Sequence, residues 1–342
     1  MKEIMIMESM ETEKKEMLTG MLYLPEGHQI DYPHGSGNLI YKEMLYDPEK
    51  VDDDTLNYKF LLPAIEAAKD QAVDFIVGFS ADQNRIILGY KNLDEKFQAF
   101  TAHQQAALFT EFFLNQNAGE DGGKLVVKSL LLSNQIDNIV KKNEGTIHYT
   151  YSGFDALVEE ATSGDFQHAI GFDDRNTVVV NPDVRANASE VMDLLSTMVL
   201  QLHAQELSLF DKHVNIQIRY NLFGEKTFNI ASGSKKMFDK FRTDPPADLI
   251  HEELISITDY KKRTFSNLLT GRKGSTDFEQ MNLVQLDYSS GLRISVEFVE
   301  DQNRIVLHLS NFTHCYDKTR FAESRKAVHD RLLKVVVSLG KF

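Results

Sequence analysis

The chain has 342 residues, 42% hydrophobic and 26% charged, which is the balance of a folded globular protein and excludes wholesale disorder. Its 51 acidic residues outnumber 37 Lys and Arg, and the net charge of −14 argues against nucleic acid or an anionic membrane as partner. The single cysteine, Cys315, excludes an internal disulfide and fits a reducing cytoplasm, and no run approaches the ~18–20 apolar residues of a membrane span.

The first sixteen residues, rich in Met, Glu and Lys, are too charged for a signal peptide and read equally as a frayed helix, a tail or an adaptable docking surface. A strand is predicted in LTGMLYLPEG, ending at Pro25-Glu26-Gly27, followed by a loop over 27–38 and a solvated acidic run from Asp47 to Asp54. Phe60, Leu61, Ala64, Ile65 and Ala68 fall at helical spacing and predict an amphipathic helix over 58–70. Strands over 72–77 and 84–90, separated by Ser80-Ala81-Asp82-Gln83, predict a hairpin.

A helix is then predicted over 103–115, a strand over 124–132 and a helix over 134–142 with Ser133 as its N-cap. Strand 146–151, helix 154–161, strands 166–172 and 177–180, and a long helix over 189–210 follow. This alternation predicts an α/β region with a mixed or mostly parallel sheet. Residues 241–247 read as a linker because Pro245-Pro246 cannot continue a helix. Strands at 254–258, 283–288, 292–298 and 304–309, with a closing helix over 320–338, predict an α+β domain of antiparallel character.

From Lys59 onward the sequence resembles the α-D-phosphohexomutases, the phosphoglucomutases and phosphomannomutases. The resemblance rests on Val127-Lys128-Ser129-Leu130-Leu131-Leu132-Ser133, Ser152-Gly153-Phe154, Asp183-Val184-Arg185, Phe241-Arg242 with Pro245-Pro246, Asp259-Tyr260-Lys261, and three loops. It implies two α/β domains with mixed sheets, at 1–97 and 98–230, and a smaller α+β domain at 231–342. It also implies that the phosphoserine domain of the family is missing, since no Ser-His-Asn-Pro signature occurs and little chain precedes Lys59. The mutase reaction relays a phosphoryl group through that serine, a covalent step the rest of the cleft does not replace.

The remaining loops depart from the family pattern. The metal loop, Asp-x-Asp-x-Asp-Arg in relatives, corresponds to Ser80, Asp82, Asn84 and Arg85, so one carboxylate remains of the three a hard Mg²⁺ requires. The sugar loop, Glu-Glu-Ser in many relatives, corresponds to Asp173, Asp174 and Arg175. The phosphate clamp corresponds to residues 297–304, where Glu297, Glu300 and Asp301 precede Arg304 and set like charge against a dianion. The tetrapeptide Asp-Gln-Asn-Arg occurs at 82–85 and again at 301–304, and its turn-forming residues predict that all three loops are plain hairpin turns.

Other candidates are weaker. His28, Asp31 and His34 have a metal-like spacing, and His34-Gly35-Ser36-Gly37-Asn38 resembles a turn of the family's second domain but lacks the lysine of a P-loop. His314-Cys315 reads as packing. Lys261-Lys262-Arg263 with Arg272-Lys273, around Phe265, reads as a solvated loop before an anion site. The sequence thus predicts a cytoplasmic protein without catalytic residues, cofactor or bound Mg²⁺. It would act by protein binding or self-association through a face the missing domain would cover, with carbohydrate or cell-envelope metabolism as the setting the resemblance implies. The alternatives are a sugar-phosphate sensor using Asp173, Asp174, Arg175 and Lys128, or a diverged enzyme using Asp82 and His103.

Overall fold

The computed structural model describes residues 17–27, 30, 38–51, 56–116, 123–180, 188–230, 233–278 and 280–340. His28, Asp31, His34, Asp183-Val184-Arg185 and the first sixteen residues lie outside them. The chain forms two compact units, Met1–Thr101 with Val184–Phe210, and Ala102–Asp183 with Asp211–Phe342. Among the described residues no helix is long and apolar enough to cross a membrane.

The first unit holds a mixed sheet of β1 (Leu18–Pro25), β2 (Leu39–Tyr46), β3 (Phe75–Phe79), β4 (Ile86–Lys91) and β5 (Phe97–Ala99), with helix α1 (Tyr58–Ala68). The strand order is β2-β1-β3-β4-β5, parallel across the first three and antiparallel after them. Asn57 caps α1 by accepting the N–H of Lys59 at 2.8 Å. The buried face of α1 is the predicted one, and Phe60 packs with Tyr23 and Tyr46. The first strand of the hairpin begins at Phe75, later than predicted, and runs through Gly78, where a Cβ would sit 2.7 Å from the Leu61 side chain. Strand β2 carries no clear sequence signal because only its two ends, Leu39 and Tyr46, are buried.

Helix α5 (Ala188–Ala204) also belongs to this unit, and its Ser196 hydroxyl bonds that of Tyr41 at 2.8 Å. The single helix predicted over 189–210 is broken: α6 (Leu209–Arg219) is separate. Glu206 adopts φ +58°, and the N–H of Leu207 returns to the carbonyl of Leu202 at 2.9 Å. That closure is usually made with glycine, so a glutamate there left no sign in the sequence.

The second unit begins with α2 (Ala102–Gln116), β6 (Lys124–Ser129), α3 (Gln135–Lys142), β7 (Thr146–Thr150), α4 (Phe154–Ala161), β8 (His168–Phe172) and β9 (Val178–Val180). The sheet order is β7-β6-β8-β9, with only β9 antiparallel. Leu125 and Val127 of β6 pack with Leu157 of α4. Asn134, not Ser133, occupies the N-cap of α3, although the Ser133 hydroxyl still accepts the N–H of Gln135 at 3.1 Å.

Beyond α6 lie β10 (Leu222–Ile230), α7 (Lys235–Thr243), β11 (Asp248–Leu249), β12 (Glu252–Asp259), β13 (Thr264–Asn267), β14 (Lys273–Ser275), β15 (Leu283–Tyr288), β16 (Arg293–Val299), β17 (Arg304–Thr313) and α8 (Phe321–Leu339). The antiparallel order is β10-β17-β16-β15-β12-β13-β14, with β11 beside β12. Phe241 and Arg242, predicted as linker, lie inside α7, which Ser234 caps; the irregular stretch is 244–247. One face of this sheet is apolar: Ile294, Val296, Leu307 and Leu309 are buried. Helix α8 lies so close that a Cβ on Gly224 would come 2.5 Å from Val328.

Candidate functional site

All three predicted turns are antiparallel hairpins, β3–β4, β8–β9 and β16–β17. Ser80 is buried and its hydroxyl donates to Asp82 Oδ1, which also accepts the N–H of Asn84 at 3.2 Å. The N–H of Arg85 returns to the Ser80 hydroxyl at 3.2 Å, and Gln83 takes the left-handed conformation at φ +58°. One oxygen of Asp82 is thus bonded within its own turn, while the residue as a whole is exposed. A hard dication needs several oxygens from one cage, and among the described residues no group of three or more His, Cys, Asp or Glu is placed to hold a metal. Within the turn from Ser80 to Arg85, Asp82 brings the one carboxylate.

Asp173 is buried at the start of the second turn. Its Oδ1 accepts the N–H groups of Arg175 at 2.8 Å and Thr177 at 2.9 Å, and its Oδ2 that of Gly153 at 2.9 Å, at the N-terminus of α4. Asp174 accepts from the hydroxyls of Ser129 and Ser152, while Arg175 is exposed. Burial, then the neighbouring Asp174 charge, raises the Asp173 carboxyl above its ordinary range against these bonds. In the third turn Glu300 and Asp301 are exposed, Arg304 is half-buried, and Glu297 faces His308 Nε2 at 3.4 Å. No hydrogen bond or ion pair among the described residues joins Asp173, Asp174 or Arg175 to Glu297, Glu300, Asp301 or Arg304.

The densest polar cluster of the second unit lies along the other face of the antiparallel sheet. There Glu225 and Thr227 of β10, Ser310 and His308 of β17, Ser295 and Arg293 of β16, and Gln285 and Asp287 of β15 stand opposite one another in the ladders. This face meets the segment 130–137. Gln285 Nε2 donates to the Leu130 carbonyl at 2.9 Å, and Arg293 donates to Asn134 Oδ1 at 2.8 Å while pairing with Asp287 at 2.6 Å. Lys128 is buried; its Nζ donates to the carbonyls of Leu132 at 3.3 Å and Ser133 at 3.1 Å and pairs with Asp137, which also accepts from Tyr149. The ammonium is spent within the protein. The cavity between His103, Ser133, Arg293, Ser295 and His308 measures about 10 Å³, space for one water.

Electrostatics match this enclosure. Burial depresses the His103 imidazole to about 4, opposed by Asp174, so the ring is neutral at pH 7, and its Nδ1 accepts the Ser133 N–H at 3.2 Å. Burial lowers the Lys128 ammonium, with Asp137 opposing, and raises the Glu225 carboxyl to about 7. Sequence reasoning picked out His103 and Lys128 but missed Glu225, Arg293 and His308. Their signal was present as polar residues at every second position of edge strand β10 and internal strands β16 and β17, a pattern that also describes a solvated sheet face.

A second concavity, of about 430 Å³, lies between the C-terminal ends of α3 and α6 and is lined by Asn138, Lys141, Lys142, Arg219, Tyr220 and Asn221. Sequence reasoning missed it too, because its cations come from two helices 77 residues apart.

No protein-family model matches the sequence, and no curated protein matches it. Solved structures do match. A protein from Thermus thermophilus assigned as a phosphomannomutase aligns at 15% identity and a TM-score of 0.54, over 94% of this chain and 61% of its own. A phosphoglucomutase/phosphomannomutase family protein from Burkholderia thailandensis aligns at 12% identity and 0.53, over 92% and 60%. The Paramecium phosphoglucomutase parafusin, in its open form, aligns at 12% identity and 0.52, over 82% and 49%. The chain thus spans half to three-fifths of the length of these structures. At such identities the likeness is one of fold, and the fold is phosphohexomutase-like.

Proposed function

We propose that this chain is a phosphohexomutase-fold protein that acts by binding and not by phosphoryl transfer. The supporting observation is the seam of the second unit, where Lys128 and Arg293 are committed to internal partners and the cavity has space for one water. Small-molecule sites generally occupy ~300–1,000 Å³, so this seam does not admit a hexose phosphate. Asp173 is buried with both oxygens accepting backbone N–H groups, from its own turn and from Gly153, which supports the same reading. The occupant is a protein partner or a second copy of the chain, in the cytoplasm; a tie to carbohydrate or cell-envelope metabolism rests on likeness of fold alone.

A coupled assay of glucose 1-phosphate and mannose 1-phosphate with Mg²⁺ tests the first half, and turnover above the protein-free rate overturns it. Sedimentation and affinity purification from the native cell test the second. A monomer that retains no protein counts against binding as the function.

A further inference from the structure

The cleft between α3 and α6 gathers three cations in a chain of net charge −14. Lys141 and Lys142 end α3 and Arg219 ends α6, and among the described residues no carboxylate lines the space beside them. Lys142 Nζ donates to the Arg219 carbonyl at 2.8 Å and lies 5.2 Å from the centre of the Tyr220 ring, with the Arg219 guanidinium 5.4 Å from the same ring. The aromatic ring thus holds two cations at one wall, an arrangement worth something even at exposed sites. Tyr220 is fixed in turn by its hydroxyl, which accepts from Asn143 at 2.9 Å.

Cations at helix C-termini have an ordinary purpose, answering the carbonyl ends of the dipoles. Here that purpose does not use them up. Each helix end carries roughly half a negative charge, so three full cations leave about two positive charges uncompensated. Glu111 lies 3.8 Å from Arg219, but it makes its closer ion pair with Lys212. Lys141 has no ion pair among the described residues and is exposed. The volume of about 430 Å³ falls in the small-molecule range.

We propose that this cleft binds a small phosphate-bearing molecule, with Lys141 and Arg219 as its principal charge contacts and Lys142 holding the wall. The assignment does not depend on whether the protein transfers phosphate. It is also separate from the β16–β17 turn at 300–303, whose carboxylates are exposed. Affinity follows the ligand's own charge, rising as pH passes the second phosphate ionisation near ~6.

Isothermal titration calorimetry on the whole chain tests this with inorganic phosphate, glucose 6-phosphate and glucose, at low and high salt. Saturable binding of the ester is expected, weakened by salt and absent for glucose; binding of inorganic phosphate alone would overturn the small-molecule assignment. Lys141→Glu should weaken binding about tenfold or more, which is ~1.4 kcal/mol. Lys141→Ala and Arg219→Gln provide a second reading if charge reversal disturbs the fold. Absence of saturable binding, or affinity unchanged by all three substitutions, refutes the site. Turnover in the mutase assay would leave this result standing, so the two readings fail separately.

Discussion

Glu225 offers the sharpest test of the seam. Its carboxyl is raised by burial from an ordinary 4.5 to about 7, with the Ser133 side chain opposing. Between those two pH values the unfolded chain has lost this proton while the folded chain keeps it. Stability from Glu225 is therefore fully present below about pH 4.5 and is lost as pH rises through about 7. Each pH unit in the window costs ~1.4 kcal/mol, and the whole window about 3 kcal/mol. His103 acts with the opposite sign, because an imidazole depressed to about 4 loses stability as pH falls from its ordinary 6.5. The wild-type profile contains both and conceals each. Glu225→Gln keeps the shape and a polar contact for Ser133 but cannot ionise, so it removes the falling contribution alone. Urea unfolding followed by circular dichroism at half-unit steps from pH 4.5 to 7.5 should show the variant gaining on wild type by ~1 kcal/mol per pH unit. Parallel profiles would mean that Glu225 is solvated and the seam is not closed.

Two further substitutions probe how the internal charges are held. Lys128→Met removes a buried cation and strands Asp137 and two carbonyls, and should cost ~3–5 kcal/mol by urea unfolding. Adding Asp137→Asn should recover part of that loss, and additive losses would show that the pair is not coupled. Asp173→Ala leaves three N–H groups, those of Gly153, Arg175 and Thr177, without their acceptor, and should cost about 3 kcal/mol or more. A loss below ~1 kcal/mol would show that water replaces the carboxylate and that the second turn is open to ligands.

The parts of the fold legible in the sequence are those where burial is one-sided and local. The helix from Tyr58 declares itself by five apolar positions, and the helix Phe154–Ala161 matches its predicted bounds because Gly153 and the pattern after it agree. Edge strand β2 was illegible, since its six central residues mix exposed and half-buried positions without an alternating apolar pattern. The turns were legible for a different reason. Asp, Asn and Gly act through bonds to their own backbone, which are written within a few residues. The seam and the basic cleft depend on side chains brought together from as far apart as Asn134 and Arg293, and no local pattern carries such a pairing.

The repeated tetrapeptide shows where local reading stops. In both hairpins the arginine pairs with the residue five positions earlier, Arg85 with Ser80 and Arg304 with Val299, so both loops enclose four residues. The left-handed residue nevertheless differs: it is Gln83 in the first loop and Asn303, at φ +42°, in the second. The difference traces to the residue before the loop. The Ser80 hydroxyl donates to Asp82 and receives the Arg85 N–H, tying the aspartate back to the start of the loop so that the bend falls on the glutamine. Val299 has no hydroxyl to offer. Asp301 stays exposed, the N–H of Asn303 returns to the Glu300 carbonyl at 3.2 Å, and the bend moves to the asparagine, which tolerates that region better. One sequence therefore makes two turns, both with exposed carboxylates, of which the first alone is tied back by a preceding hydroxyl. The same four letters thus specify a turn only together with the residue that precedes them, Ser80 in one hairpin and Val299–Glu300 in the other.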